Sequence, residues 1–283
     1  MQRTYSPSVR RRRLAAELRK ARDLCGYTGA RAAAKLGWPH SKLTKIEAAK
    51  QGVKPADLVK LMDLYDVSDA DTRDAMLRLA RESKERGWWW KYRDIFGDRA
   101  LPDFEAEASG IRCWQAQLVP GLLQTPDYIE AVFRAGNARE DAVVHRHVKG
   151  RIERQQILNG VHPPRFSAIL DEGALRRQIG GRAVLLEQLQ HLCNMATRHN
   201  IDLRVLPYEA GEHQASNGSF TVLDFPNPLD LPVAFTETVT ASIVIEEEAE
   251  IATYNDVWAN VQGAALTQAR SVEFIQQVIR GLT

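Results

Sequence analysis

The sequence predicts two domains. An all-α domain of five short helices comes first, followed by an α/β or α+β domain with a small sheet and several helices. Three observations carry this. Over residues 10–84 apolar side chains recur at helical spacing, punctuated by Gly and Pro. Past residue 160, short β-branched segments interleave with longer helical patterns. The charge divides in the same place. Residues 1–60 hold fifteen Lys and Arg against four Asp and Glu, a net of +11, while the remaining 23 basic and 32 acidic residues give −9. A length of 283 residues allows one large or two ordinary domains, and 44% hydrophobic residues suffice for a core.

The elements follow in order. Leu14, Leu18, Ala21 and Cys25 share one face of a first helix, which Gly26 stops. Thr28 caps a short second helix, TGARAAAKL, ending at Gly37. Pro39 sits at or beside the start of a third, where its missing N–H costs nothing, with Leu43 and Ile46 inward. Pro55 opens a fourth around Leu58, Leu61 and Tyr65. Ser68 with Asp71 resembles a capping box for a fifth, running to about Lys84. The period is then lost through WWWKYRDIFGDRALPDF, which marks a junction. We therefore expect a helix-turn-helix domain at 1–86, an aromatic junction at 87–103, and a C-terminal regulatory, dimerisation or partner-binding domain at 104–283.

In the C-terminal part, FEAEASGIRCWQAQ reads as helix, PGLLQTPDYIEAVFRAG as a turn and helix, and 140–158 as a charged helix. RFSAIL reads as a buried strand. Residues 181–199 read as a helix with Leu185, Leu189 and Leu192 on one face. IDLRVLP, SFTVLDF, PVAFTET and ASIVIE read as strands, and two helices close the chain near 247–262 and 267–280. There is no internal repeat.

Several classes are set aside. No apolar run approaches the ~18–20 residues that cross a bilayer. Arg10–Arg13 is basic, but no apolar stretch follows it as in a signal peptide. Cys25, Cys113 and Cys193 are odd in number and widely spaced, with neither zinc spacing nor a disulfide framework. A cytoplasmic protein with reduced thiols is expected.

The central signal is TGARAAAKL and PHSKLTKIEAAK joined by Gly37-Trp38, a helix-turn-helix whose alanines let the two helices pack closely. With Leu43 and Ile46 inward, His40, Ser41, Lys42, Thr44 and Lys45 point outward. These are donors and hydroxyls suited to base edges and phosphates. The alternative is a solvated polar face. Together with the +11 charge, the pattern points to double-stranded DNA as partner. His40, Ser41, Thr44 and Lys45 are the candidate base contacts. Lys42, Thr28, Arg31 and the basic residues of 10–13 complete the candidate DNA-binding set. A homodimer would place two such helices about one turn apart, ~34 Å.

Residues 10–66 resemble the lambda-repressor-like, xenobiotic-response-element type of helix-turn-helix. That family often has a phosphate-contacting Gln early in its second helix. Gly29 stands there, which leaves Arg31 as the substitute. The family often ends its reading helix in Asn-Gly. Ala48-Ala49 stands there, which moves the turn to Gly52 and lets the helix run longer. The family's pairing of a first-helix arginine with a late third-helix glutamate implies a structural ion pair between Arg22 and Glu47. WWWKYRDIF, FEAEASGIRCWQAQLVPGLLQTPDYIEAVF, AILDEGALRRQIGG and LRVLPYEAGEH are similar to actinomycete regulators. In those, this module precedes a C-terminal domain of uncharacterised function with an antitoxin-like description. The resemblance implies a transcriptional regulator, often encoded beside a small partner protein.

Trp88, Trp89 and Trp90 either anchor one domain on another or form a ligand cage. With Arg112, Trp114 and Gln124 they are the candidates for a ligand or partner groove. No catalytic set, metal site or cofactor motif is expected. His147 and Lys149 open an H-x-K pattern, but Arg154 stands where that chemistry needs an aspartate. Asp171-Glu172 fits a helix start better than an acid pair. Gly180-Gly181 lacks the lysine and hydroxyl of a phosphate loop. EEEAE at 246–250 reads as a solvated helix start or a contact for a basic partner. The C-terminal domain is therefore expected to dimerise the protein and bind a small-molecule effector or a small partner protein. The rival is an antitoxin-like adaptor that neutralises a neighbouring protein and uses DNA binding only for autoregulation.

Overall fold

The computed structural model describes residues 7–83, 91–96, 101–136, 140–226, 231–238 and 241–283. The chain divides into two units, Met1–Lys91 with Pro102–Glu107, and Tyr92–Leu101 with Ala108–Thr283.

The first unit holds α1 (Pro7–Leu24), α2 (Gly29–Leu36), α3 (His40–Glu47), α4 (Pro55–Leu64) and α5 (Ala70–Glu82). Gly26 takes φ 66° and ends the first turn. Thr28 caps α2 by accepting the Arg31 N–H at 3.2 Å. Gly37, at φ 65°, closes α2, a left-handed position that favours glycine. Pro55 is the first residue of α4. Leu14, Leu18, Leu43, Leu58, Leu61 and Met62 are almost fully buried and form one core with Ala32, Ala33, Ile46 and Tyr65.

Two expectations fail here. The cap of α5 is Asp69, not Ser68. Its carboxylate accepts the Thr72 N–H at 2.8 Å and the Thr72 hydroxyl at 2.6 Å. Nor does α3 run on toward Gly52. It ends at Glu47, and Ala49 turns the chain at φ 55°. Ile46 and Val53 are both held in the core, and the chain between them must reverse within a few residues. The helical continuation open to an alanine is overridden by that constraint.

α6 (Arg93–Phe96) and α7 (Leu101–Glu107) follow. Part of the expected junction, including Trp88, Trp89 and Trp90, lies outside the described residues. Pro102–Glu107 belongs with the first unit, where the Arg12 guanidinium lies 4.8 Å over the Phe104 ring.

The second unit is built on a six-stranded mixed sheet of order β3-β2-β1-β4-β5-β6. The strands are β1 (Gly110–Gln115), β2 (Arg165–Asp171), β3 (Ile201–Leu206), β4 (Phe220–Asp224), β5 (Val233–Glu237) and β6 (Ser242–Ile245). β1, β2 and β3 run parallel, and β4, β5 and β6 extend the sheet antiparallel from β1. Parallel neighbours need long crossovers. α8 (Pro126–Ala135) and α9 (Asp141–Gln155) supply the first, α10 (Glu172–Arg176) and α11 (Arg182–Met195) the second. α12 (Glu248–Ala264) and α13 (Gln268–Leu282) close the chain. Trp114, Ile169, Phe220, Val222 and Ala234 pack with Ile251, Trp258 and Val261 of α12. Ile111, Ala168, Leu170 and Leu203, at alternate positions, are buried too.

The helix expected over FEAEASGIRCWQAQ is the main correction. α7 ends at Glu107, Ser109-Gly110 break it, and Gly110–Gln115 becomes the central strand. There β1 pairs with β2 on one side and β4 on the other. Those partners are 55 and 114 residues away at Gly110, so no local pattern could announce them. Among the described residues no helix is long and apolar enough to cross a membrane.

Candidate nucleic-acid interface

The site grows from how α2 and α3 are locked together. Ala32 and Ala33 are buried between them, and the Trp38 N–H donates to the Ala33 carbonyl at 2.9 Å. Leu43 and Ile46 fix one side of α3 in the core at 0% and 3% exposure. Helical geometry then turns His40, Ser41, Thr44 and Lys45 to solvent, and all four are exposed. Residues 40, 41, 44 and 45 are spaced one, three and four apart, so they form one patch. The Thr44 hydroxyl donates to the His40 carbonyl at 3.0 Å and lies 3.4 Å from His40 Nε2. The His40 ring also covers Gly29, whose missing Cβ would stand 3.4 Å from Nε2. Ser41 and Lys45 carry no side-chain hydrogen bond or ion pair among the described residues.

The remaining candidates are engaged within the unit. Lys42 Nζ pairs with Asp57 at 2.8 Å and sits 3.6 Å over the Trp38 ring. It is half-buried rather than free to meet a phosphate. Thr28 is the α2 cap, and the Arg31 guanidinium lies 5.3 Å over the Tyr27 ring while Arg31 itself stays exposed. Of the residues 10–13, Arg10 is 4% exposed and Arg12 covers Phe104, so these two are drawn into the fold.

Arg22 and Glu47 meet. Arg22 Nε donates to Glu47 Oε1 at 2.9 Å and to Oε2 at 3.2 Å, and Arg22 Nη1 donates to the Tyr27 carbonyl at 2.7 Å. The Tyr65 hydroxyl donates to Glu47 Oε1 at 3.4 Å. Burial works against the Arg22 charge, but its bond to Glu47 and the charges of Glu47 and Asp23 outweigh it and raise the guanidinium pKa. Burial, then the Glu47 charge, push the Tyr65 phenol far above its ordinary value. The node ties α1, α3, α4 and the loop before α2, and so sets the angle at which α3 is presented.

The expected groove in the second unit is not formed by its three described candidates. Trp114 is fully buried and donates from Nε1 to the Ala215 carbonyl at 3.1 Å. Gln124, 2% exposed, donates to the Val119 carbonyl and accepts from Arg151. Arg112 holds both Asp224 carboxylate oxygens, at 3.1 and 3.0 Å, and Asn255 at 2.8 Å. Asp171 caps α10 by accepting the Gly173 N–H, and Glu172 pairs with Arg176 and accepts the Tyr208 N–H. That pair starts a short helix. Burial raises the Cys193 thiol pKa, against a reactive role. Among the described residues no group of His, Cys, Asp and Glu is placed to hold a metal.

Sequence reasoning missed Trp38 and Asp57, which decide whether Lys42 is free. It also missed Gln188. That fully buried side chain accepts the Thr125 N–H at 2.7 Å and donates to the Leu123 carbonyl at 2.8 Å. Nothing in the local sequence marks these as partners.

One family model, described as a helix-turn-helix domain, matches residues 13–76. Another, described as a domain of unknown function (DUF5753), matches residues 98–277. No curated protein and no solved structure matches the chain.

Proposed function

We propose a function from one premise: the chain belongs to the family of that C-terminal domain of unknown function and carries a helix-turn-helix domain ahead of it. The helix-turn-helix suggests a DNA-binding regulator. The finer reading is a sequence-specific transcriptional regulator working in the cytoplasm as a homodimer, a binding protein rather than an enzyme. Its C-terminal domain would dimerise it and take a small molecule or a small partner protein. The observation that carries this is the exposed patch of His40, Ser41, Thr44 and Lys45 on a helix whose other face is locked in the core, within a segment of net charge +11. Such a helix can enter the major groove with hydroxyl, imidazole and ammonium groups toward base edges. Selecting genomic fragments bound by the full-length protein tests the reading. Enrichment of a two-fold symmetric site is expected, and no enrichment over random fragments would refute it.

One observation favours the adaptor reading beside it. Among the described residues β6 pairs with β5 alone, and Ile243 on it is 45% exposed. An extended partner segment has room to add to that edge. Co-purification with the product of the adjacent gene tests it, and failure to co-purify removes it.

A further inference from the structure

The second unit contains a cavity of about 400 Å³ that the DNA-reading surface does not use. One wall is Ser219 and the start of β4 at Phe220, with Thr236 near the end of β5. The other is α12, with Glu250, Tyr254 and Val257. Those three α12 residues are spaced four and three apart, so they share one helical face. The Phe220 and Tyr254 rings meet edge to face at 5.2 Å.

The cavity is built before any ligand arrives. Its rim, residues 214–219, is pinned at several points. Ala215 accepts from Trp114 Nε1 at 3.1 Å, and the Gln214 N–H donates to Asn260 at 3.2 Å. Ser219 Oγ accepts the Ala116 N–H at 3.0 Å, and the Ser219 carbonyl accepts from Thr236 Oγ1 at 3.1 Å. A ligand entering such a site is spared the cost of ordering its walls.

The charge in the cavity specifies what fits. Glu250 is the one charged side chain among the described residues that line it. It is exposed and has no ion pair or hydrogen bond among them. The N-terminus of α12 would by itself favour an anion, but Glu247, Glu248 and Glu250 occupy it. Residues 61–283 carry a net −9, which attracts cations and repels anions on approach. An unpaired carboxylate beside two aromatic rings and a valine suits an ammonium group joined to a flat apolar body. The cation meets Glu250 and the Tyr254 ring, and the body displaces water from Tyr254 and Val257 over the buried Phe220.

We propose that this cavity is a binding site for a small organic cation, a primary amine bearing one apolar ring. That its occupancy regulates DNA binding rests on the regulator reading above; the site itself does not. The test titrates the full-length protein by calorimetry with phenethylamine, with phenethyl alcohol as the neutral analogue and phenylacetate as the anionic one. Phenethylamine should bind about two- to fivefold tighter than the alcohol, and phenylacetate should not bind. Glu250→Gln, at an exposed position, should erase the preference for the amine. Val257→Trp should block the amine and the alcohol alike by filling the space. Equal binding of amine and alcohol, no binding of the amine, or an undiminished preference in Glu250→Gln overturns the proposal. Operator affinity with and without phenethylamine is read separately. Amine binding that leaves it unchanged removes the effector role and keeps the site, and a chain that binds no operator can still be titrated with the amine.

Discussion

Replacing Ala49 by glycine should stabilise the first unit, although glycine is the more flexible residue. Ala49 sits at φ 55°. There the Cβ of an L-residue crowds its own carbonyl, at about 1–2 kcal/mol. Glycine removes that strain but gives up about 0.5–1 kcal/mol more conformational entropy on folding. The balance is a gain of about 0.5–1 kcal/mol, or about 2–8 °C for a unit of this size. Ala48 is the internal control. At φ −89° and ψ 9° it has no strain to relieve, so Ala48→Gly should lose about 0.5–1 kcal/mol. Hydrogen exchange of the slowest amides of α1 and α4 reads this in the full-length protein, where the second unit is left in place. Opposite signs at adjacent alanines are the expected result. A neutral or destabilising Ala49→Gly, or the same sign at both positions, would refute a turn resting on a left-handed alanine.

Three further outcomes follow from the same geometry. Arg22→Ala should cost the first unit about 3–5 kcal/mol by leaving Glu47 buried without its counter-charge; Arg22→Lys should not restore it, because one ammonium cannot reach both Glu47 and the Tyr27 carbonyl as two guanidinium nitrogens do. A loss below ~1 kcal/mol in the same exchange measurement contradicts this. Asp57→Asn should release Lys42 from its ion pair, raising affinity for all duplexes alike and steepening the salt slope by about 1; an unchanged slope means that Lys42 stays clamped by Trp38. The Asp69 carboxyl is held below its ordinary value of 3.8 by the Thr72 hydroxyl and N–H. A depressed pKa gives stability that is present above 3.8 and lost as pH falls through the folded value. Protection of the α5 amides, relative to their intrinsic exchange rates, should therefore fall below about pH 4 in the parent and show no such step in Asp69→Asn; identical pH profiles refute the cap as cause.

The N-terminal unit was legible because its signals are local. Thr28, Gly37, Pro39 and Pro55 each do one job at one position, and the helical spacing of Leu14 with Leu18, Leu43 with Ile46 and Leu58 with Leu61 places the core. The strand β1 was not legible. Gly110–Gln115 carries no period strong enough to outvote the helical FEAEA before it, and its state is set by two strands far along the chain. The same holds within the candidate site. Counting charge treats Lys42 as a free cation, yet a partner fifteen residues on and a tryptophan four residues back take it. Trp114 and Gln124, candidates for the groove, are instead buried. Their burial depends on Ala215 and Val119, which no spacing rule connects to them. The Glu250 cavity forms only when α12 lies on β4 and β5.

The central claim is that the outward patch of α3 reads DNA, and a comparison of specific with non-specific binding tests it most directly. Ser41→Ala and Lys45→Ala alter exposed side chains that hold nothing else in the fold. Each should lower affinity for the selected site by about 1–3 kcal/mol while changing affinity for a scrambled duplex far less. If both variants bind the selected site as tightly as the parent, or lose specific and scrambled binding in equal measure, α3 does not read the groove.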